Sequence, residues 1–237
     1  MKLSVVITVF NEAQNLPALF SRLKDACARY RPFEVICVDD GSRDDSLAVL
    51  LKEKRDFPEL KIVKLAFNCG KSDALAAGIA QAKGEWVAML DADLQDPPEE
   101  IPKLMEALEG CDGVNGWRFP RNDTWPKRFA SRFANWFRNL FLRDGMHDTG
   151  SPLKVVRREA LLNIPMFRGS HRFIPALLLM HGYTVKEIKV RHEGRVLGRS
   201  KSKTFGRAVP AFFDLLGVVW LKKRALRYKI EKVINGR

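Results

Sequence analysis

The sequence predicts an α/β protein whose mostly parallel sheet is flanked by helices. Three observations carry that expectation. Apolar runs of strand length recur through the first half, and amphipathic stretches separate them. Each run ends in polar residues, which gathers polar groups at the carboxyl edge of the sheet. The fourth run, WVAML at 86–90, stops abruptly at Asp91-Ala92-Asp93-Leu94-Gln95-Asp96-Pro97-Pro98-Glu99, with two carboxylates one residue apart.

The elements follow in order. Residues 3–10 read as a strand, and Asn11-Glu12 opens an amphipathic helix to about Arg29. Residues 33–38 form a second strand that runs into Asp39-Asp40-Gly41-Ser42. Ser42 and Asp45 have capping-box spacing for a helix carrying Leu47, Val49, Leu50 and Leu51. Residues 61–66 are a third strand; Asn68-Cys69-Gly70-Lys71 then leads to a helix of small residues over 74–82. The fourth strand, 85–90, precedes a helix over about 98–109, with Asp96 as cap, Pro97 at its first position and Glu99 completing a capping box. After Gly116 the alternation lapses into a stretch rich in Arg, Phe and Trp over 117–145. A strand at 152–156, helices at 157–163 and 172–181, and a strand at 183–191 precede a basic loop over 195–203.

Composition bounds the function. The 237 residues carry a net charge of +13, with a pI near 9.8, which points to an anionic partner. Cys27, Cys37, Cys69 and Cys111 form no Cys-x-x-Cys pair, and His147, His171, His181 and His192 have no metal-ligand spacing, so the cysteines read as reduced thiols. No apolar run approaches the roughly 20 residues of a spanning helix. The final segment places Phe205, Val209, Phe212, Phe213, Leu216, Val219 and Trp220 on one helical face, followed by Lys222, Lys223, Arg224, Arg227, Lys229 and Lys232. A face of that kind suits an anionic bilayer surface, the protein's own core or a second subunit.

The strand ends carry the candidate chemistry. Asp91 and Asp93, two apart in an extended chain, aim at one point, and Gln95 can join them. Adjacent carboxylates repel unless a proton or cation lies between them, and hard oxygen ligands favour Mg²⁺ or Mn²⁺; a solvated acidic turn is the alternative. No Gly-x-Gly-x-x-Gly and no P-loop follows any strand.

Four segments carry a resemblance: Val6-Ile7-Thr8-Val9-Phe10-Asn11-Glu12, Val38-Asp39-Asp40-Gly41-Ser42, Asn68-Cys69-Gly70-Lys71 and the 91–99 segment. It continues through Asn115-Gly116-Trp117-Arg118, the segment 148–154, His171-Arg172-Phe173-Ile174-Pro175 and Arg195-Val196-Leu197-Gly198-Arg199-Ser200-Lys201. In that order they resemble the family 2 glycosyltransferases of GT-A fold, and within them the polyprenyl-phosphate glycosyltransferase group. Phe67, Ser151 and Ser202 depart from residues frequent at those positions, Arg, Cys and Tyr respectively.

The resemblance implies a metal-dependent, inverting transfer of a hexosyl group from a UDP- or GDP-sugar to a polyprenyl phosphate. It implies donor binding by Val9, Asn11, Glu12, Asp39, Asp40, Asn68, Lys71, Asp91, Ala92 and Asp93, and Mg²⁺ or Mn²⁺ on Asp91, Asp93 and Gln95. Arg118, Arg128, Ser131, Arg132 and Ser200 match acceptor positions, and Asp93, Arg118, Arg195 and Lys201 are the catalytic candidates. A phosphate monoester is already largely dianionic near neutral pH, so it needs no base. A hydroxyl acceptor would need one, and Asp148 is then the candidate. The expected organisation is a GT-A unit over 1–203, with a donor half at 1–116 and an acceptor half at 117–203, and an interfacial segment over 204–237. The expected setting is the cytoplasmic face of a membrane, with no nucleic-acid partner and with room for a homo-oligomer. Charge and interleaved aromatics leave a nucleic-acid-binding protein as the rival, and a non-catalytic donor-binding scaffold is another.

Overall fold

A computed structural model describes residues 2–119, 137–194 and 208–225. Seven strands form one sheet in the order β3-β2-β1-β4-β6-β5-β7. Strands β1 (Leu3–Val9), β2 (Phe33–Asp39), β3 (Leu60–Lys64) and β4 (Trp86–Asp91) are parallel, linked by α1 (Leu16–Cys27), α2 (Ser46–Asp56) and α3 (Lys71–Gln81). After α4 (Ile101–Glu106) come β5 (Gly113–Arg118), β6 (Lys154–Arg157), α5 (Arg158–Asn163), α6 (Ile174–Met180), β7 (Val185–Val190) and α7 (Ala208–Arg224). The mostly parallel sheet flanked by helices is therefore present. β6 alone runs antiparallel, paired with both β4 and β5, while β5 and β7 are parallel. Pattern reading misses β5, because Gly113-Val114-Asn115-Gly116 has little apolar periodicity; the strand exists because both flanks are paired.

The central strands are buried on both faces, and side-chain alternation divides the core into two layers. Leu3, Val5, Ile7 and Val9 of β1 pack with Leu16, Phe20 and Leu23 of α1 on one face. Val6, Ile36, Val38, Val87 and Met89 face the other layer, with Ala74 and Ile79 of α3, Leu177 of α6, and Leu215 and Val218 of α7. Cys27 and Cys37 are free and buried; burial pushes the Cys27 thiol up to about 12, and the Cys37 thiol rises for the same reason.

Several boundaries differ from the sequence expectation. Helix α1 begins at Leu16, because Asn11 adopts a left-handed conformation (φ 53°) and Pro17 suits only a first turn. Neither predicted capping box forms. Ser42 Oγ instead accepts from the Asn11 N–H at 2.9 Å, and Asp44 Oδ1 accepts from the Ser46 N–H at 3.0 Å at the start of α2. Glu99 pairs with Arg22 at 2.7 Å, and the helix expected over 98–109 is a short 3₁₀ turn at Pro98–Glu100 followed by a helix that ends at Glu106.

Helix α7 resolves part of the ambiguity in the last segment. Leu215 and Val218 sit in the core, and Val219 packs against it. Phe212, Phe213, Leu216 and Trp220 remain exposed on the other side. The helical stretch over 137–142 joins this surface through Phe137, whose ring lies 6.1 Å from that of Phe212. Gly169 (φ +97°) makes room for α7: a Cβ there would meet Asp214 Oδ2 at 2.3 Å. Phe205 and the side chain of Val209 lie outside the described residues. No described helix is long and apolar enough to cross a membrane.

Candidate active site

The carboxyl ends of β1, β2 and β4 and the amino end of α3 enclose a cleft of about 360 Å³. Val9, Glu12, Asp40, Asn68, Lys71, Asp91, Ala92 and Asp93, all expected at the donor site, line it, together with Thr8, Phe10 and Gly70. Asn11, Asp39 and Gln95 were expected there too, but they do not line the cleft. Asn11 ties loops together: its Oδ1 accepts from the Arg43 N–H at 2.7 Å. Asp39 is 1% exposed; its Oδ1 accepts from the Ser42 N–H at 3.0 Å, and its Oδ2 is buried without a hydrogen-bond partner.

Asp40 is a positioning carboxylate. Its oxygens accept from Cys69 N–H at 2.7 Å, Gly70 N–H at 2.9 Å and Asn68 Nδ2 at 2.9 Å, which fixes the loop that delivers Lys71. Gly41 (φ +66°) is required beside it, since a Cβ would meet the Phe67 carbonyl carbon at 2.6 Å.

Lys71 Nζ lies 2.6 Å from Asp91 Oδ2, and Thr8 Oγ1 donates to Asp91 Oδ1 at 3.2 Å. Burial alone would raise the Asp91 pKa, but Lys71 and the Thr8 hydrogen bond outweigh it and hold the carboxyl below its usual range. Asp91 closes β4 and Asp93 lies in the turn beyond it, so a turn, not an extended strand, brings both to the cleft. The Gln95 carbonyl accepts from the Glu193 N–H at 2.8 Å.

The donor set fits a divalent ion held mainly by a ligand. Among the described residues no three or more His, Cys, Asp or Glu side chains surround one point. Two carboxylates facing one cleft are nevertheless what Mg²⁺ or Mn²⁺ uses when substrate phosphates complete its shell.

Arg118, from the second half of the chain, does not line this cleft. Arg118 is held by Asp148, with Nε to Oδ2 at 2.7 Å and Nη2 to Oδ1 at 2.9 Å. Asp148 is 2% exposed, so its carboxylate is committed to Arg118 and poorly placed to serve as a general base. Glu187 accepts from the Asp148 and His147 N–H groups at 2.9 and 2.8 Å. Arg138, 6% exposed, binds Asp144, Thr149 Oγ1 and the Met146 carbonyl, which fixes the 144–149 segment that carries Asp148. Arg128, Ser131, Arg132, Arg195, Ser200 and Lys201 lie outside the described residues.

Sequence reasoning overlooked Lys154 and left His171 without a role. Lys154 is 2% exposed and donates to the carbonyls of Thr149 and Ser151. Burial, reinforced by the charge of Lys71, brings its pKa down to about 7. Burial, with Lys71 and Arg172 nearby, likewise lowers the His171 pKa to about 3, so the ring is neutral. A lone lysine opening the apolar run Val155-Val156 was the available signal.

Comparison with known proteins agrees with this arrangement. Residues 4–164 match the model of the family described as glycosyl transferase family 2. The undecaprenyl-phosphate 4-deoxy-4-formamido-L-arabinose transferase of Pseudomonas aeruginosa (strain LESB58) is 40% identical over 216 residues, covering 90% of this chain and 63% of the relative. The enzyme of the same name from Serratia proteamaculans is 39% identical over 222 residues, 91% of this chain and 67% of its own. The chain thus spans 63% of the length of the Pseudomonas relative. In fold it is similar to glucosyl-3-phosphoglycerate synthase from Mycobacterium tuberculosis, solved with Mn²⁺, UDP and glucosyl-3-phosphoglycerate. That likeness has a TM-score of 0.68 at 16% identity over 93% of this chain and 79% of that one. It is also similar to a mannosyltransferase from Pyrobaculum calidifontis solved with GDP-mannose and Mn²⁺, with a TM-score of 0.63 at 20% identity over 94% and 70% of the chains. Fold, cleft and family match converge: the chain belongs to glycosyl transferase family 2 and has the GT-A fold.

Proposed function

We propose that this protein transfers a hexosyl group, with inversion, from a UDP- or GDP-sugar to a polyprenyl phosphate, with Mg²⁺ or Mn²⁺ as cofactor. The observation that carries the reading is the cleft in which Lys71, Asp91 and Asp93 meet at the carboxyl edge of the sheet. The names of the relatives, which specify undecaprenyl phosphate, support the acceptor class.

In this reading Val9, Asn11, Glu12, Asp39, Asp40 and Asn68 form the nucleoside side of the site, directly or by holding its loops. Lys71 meets the diphosphate with a point charge. Asp91 and Asp93 would hold the metal, which when bound would lend positive charge to the departing diphosphate. Arg118, Arg195 and Lys201 add fixed positive charge, and Arg128, Ser131, Arg132 and Ser200 receive the acceptor phosphate. Because a phosphate acceptor is already anionic, the commitment of Asp148 to Arg118 costs the reaction nothing. The same commitment counts against a hydroxyl acceptor.

The exposed aromatic side of α7, its basic last turn and the +13 net charge support a peripheral position on an anionic, inner-face membrane surface. The 1–203 unit would then carry the chemistry and 204–237 the membrane contact, although the inner side of α7 shares the core.

The test is incubation with UDP- and GDP-sugars, Mn²⁺ and undecaprenyl phosphate, with mass spectrometry of the lipid. Glycosylated lipid is expected from the wild type and not from Asp93→Ala. No product from any donor, or equal product from Asp93→Ala, would refute the proposal.

A further inference from the structure

The cleft has an inner chamber behind it. Thr8, Lys71 and Asp91 line both, so the Lys71–Asp91 pair stands where they meet. The other polar groups of the chamber come from the second half of the chain: Ser151, Lys154 and His171. Its free volume is about 10 Å³, room for roughly one water-sized group.

One buried group lacks the partner that burial ordinarily demands, and a second, half-buried, keeps an open donor. Ser151 is 1% exposed, and its Oγ has no hydrogen-bond partner among the described residues. His171 is bound on one side only. Ser72 Oγ accepts from the Gly169 N–H at 3.0 Å and lies 2.7 Å from His171 Nδ1. With its lone pairs facing the backbone, the Ser72 hydroxyl gives its single hydrogen to Nδ1. The proton of the neutral ring is then on Nε2, which becomes a donor without a partner among the described residues. Lys154 is engaged with the carbonyls of Thr149 and Ser151. The open donors are therefore the Ser151 hydroxyl and His171 Nε2, while Asp91 is already bound by Lys71 and Thr8.

We propose that this chamber reads one hydroxyl-sized, hydrogen-bond-accepting oxygen of the transferred sugar, with Ser151 and His171 as the specificity-determining residues. The inference rests on the nucleotide-sugar reading above and extends it to the sugar itself. The geometry is apt: a sugar attached to a diphosphate beside Lys71 and Asp91 adjoins the chamber mouth. A sugar oxygen in the chamber would accept from the Ser151 hydroxyl, which has no protein partner among the described residues.

The experiment separates sugar from nucleotide. Calorimetry in Mn²⁺ compares UDP with UDP-glucose, and GDP with GDP-mannose, for the wild type, Ser151→Ala and Ser151→Val. Alanine deletes the hydroxyl, valine fills the chamber, and thermal unfolding checks that each variant folds. The expected result is unchanged affinity for the free nucleotide in all three proteins. The sugar's added affinity falls about fivefold in Ser151→Ala, the equivalent of one neutral hydrogen bond, and disappears in Ser151→Val. Nucleotide binding with the same sugar increment in all three proteins, or with no increment in the wild type, would overturn this inference and leave the nucleotide reading standing. A wild type that binds neither UDP nor GDP would overturn that reading, and this inference with it.

Discussion

Replacing Lys154 with methionine should change how stability responds to pH. Methionine matches the length of the lysine stem and removes the ammonium. In the folded protein, burial first and the charge of Lys71 second bring the Lys154 pKa from 10.5 to about 7. Below about pH 7 both folded and unfolded chains carry the proton, and the full cost of burying the charge is present. Between about 7 and 10.5 the unfolded chain keeps the proton that the folded one has released, so stability rises with pH. The slope is about 1.4 kcal/mol per pH unit, and the whole window is worth roughly 5 kcal/mol. The variant lacks this slope. It also leaves the Thr149 and Ser151 carbonyls without their donor, a loss of about 1–3 kcal/mol each that does not vary with pH. Urea unfolding of both proteins from pH 7.5 to 9.5 is the assay. The wild-type stability should gain roughly 2.7 kcal/mol on the variant across that range. A difference that stays constant with pH would refute the reasoning, because it would mean that Lys154 keeps its proton in the folded state.

Gly41→Ala should destabilise the protein by about 2–4 kcal/mol, from left-handed strain and overpacking, and should weaken nucleotide binding as the Phe67–Asn68 backbone is displaced; denaturant unfolding and calorimetry measure the two effects. Arg138→Ala leaves Asp144 buried without its partner, and a loss of about 3–5 kcal/mol is expected in the same unfolding assay. Asp40→Ala frees the 68–70 loop, so donor affinity should fall about tenfold or more while vesicle binding is unchanged. Phe213→Glu combined with Trp220→Glu alters exposed positions of α7, so unfolding should stay within about 1 kcal/mol of wild type while co-sedimentation with anionic vesicles drops; unchanged sedimentation would remove the membrane role from this face.

Much of the site was legible because it sits where strand periodicity ends. The buried runs of β1, β2 and β4 are apolar enough to identify, and a parallel strand has to release its functional groups at its carboxyl end. Thus Asp40, Lys71, Asp91 and Asp93, singled out by their place at strand ends together with the family resemblance, do line one cleft. Capping signals misled, because Ser42 and Glu99 had partners distant in sequence: Ser42 serves the Asn11 loop and Glu99 serves Arg22. A local motif cannot show that a tertiary partner has claimed its side chain. β5 was invisible for a related reason, since its stability comes from two neighbouring strands more than from its own pattern.

The sequence by itself determined the α/β class, the polar strand ends and the family, because burial periodicity and the order of short motifs are written along the chain. Only the tertiary structure decided which carboxylates are free and which are committed. Asp40 and Asp148 read alike as acidic residues in loops, yet one holds the Lys71 loop and the other holds Arg118. The tertiary structure also placed Ser151, Lys154 and His171 behind Asp91, 60 or more residues away in the chain. Hydrogen-bond commitment and burial belong to the packed molecule, and no spacing along the chain specifies them.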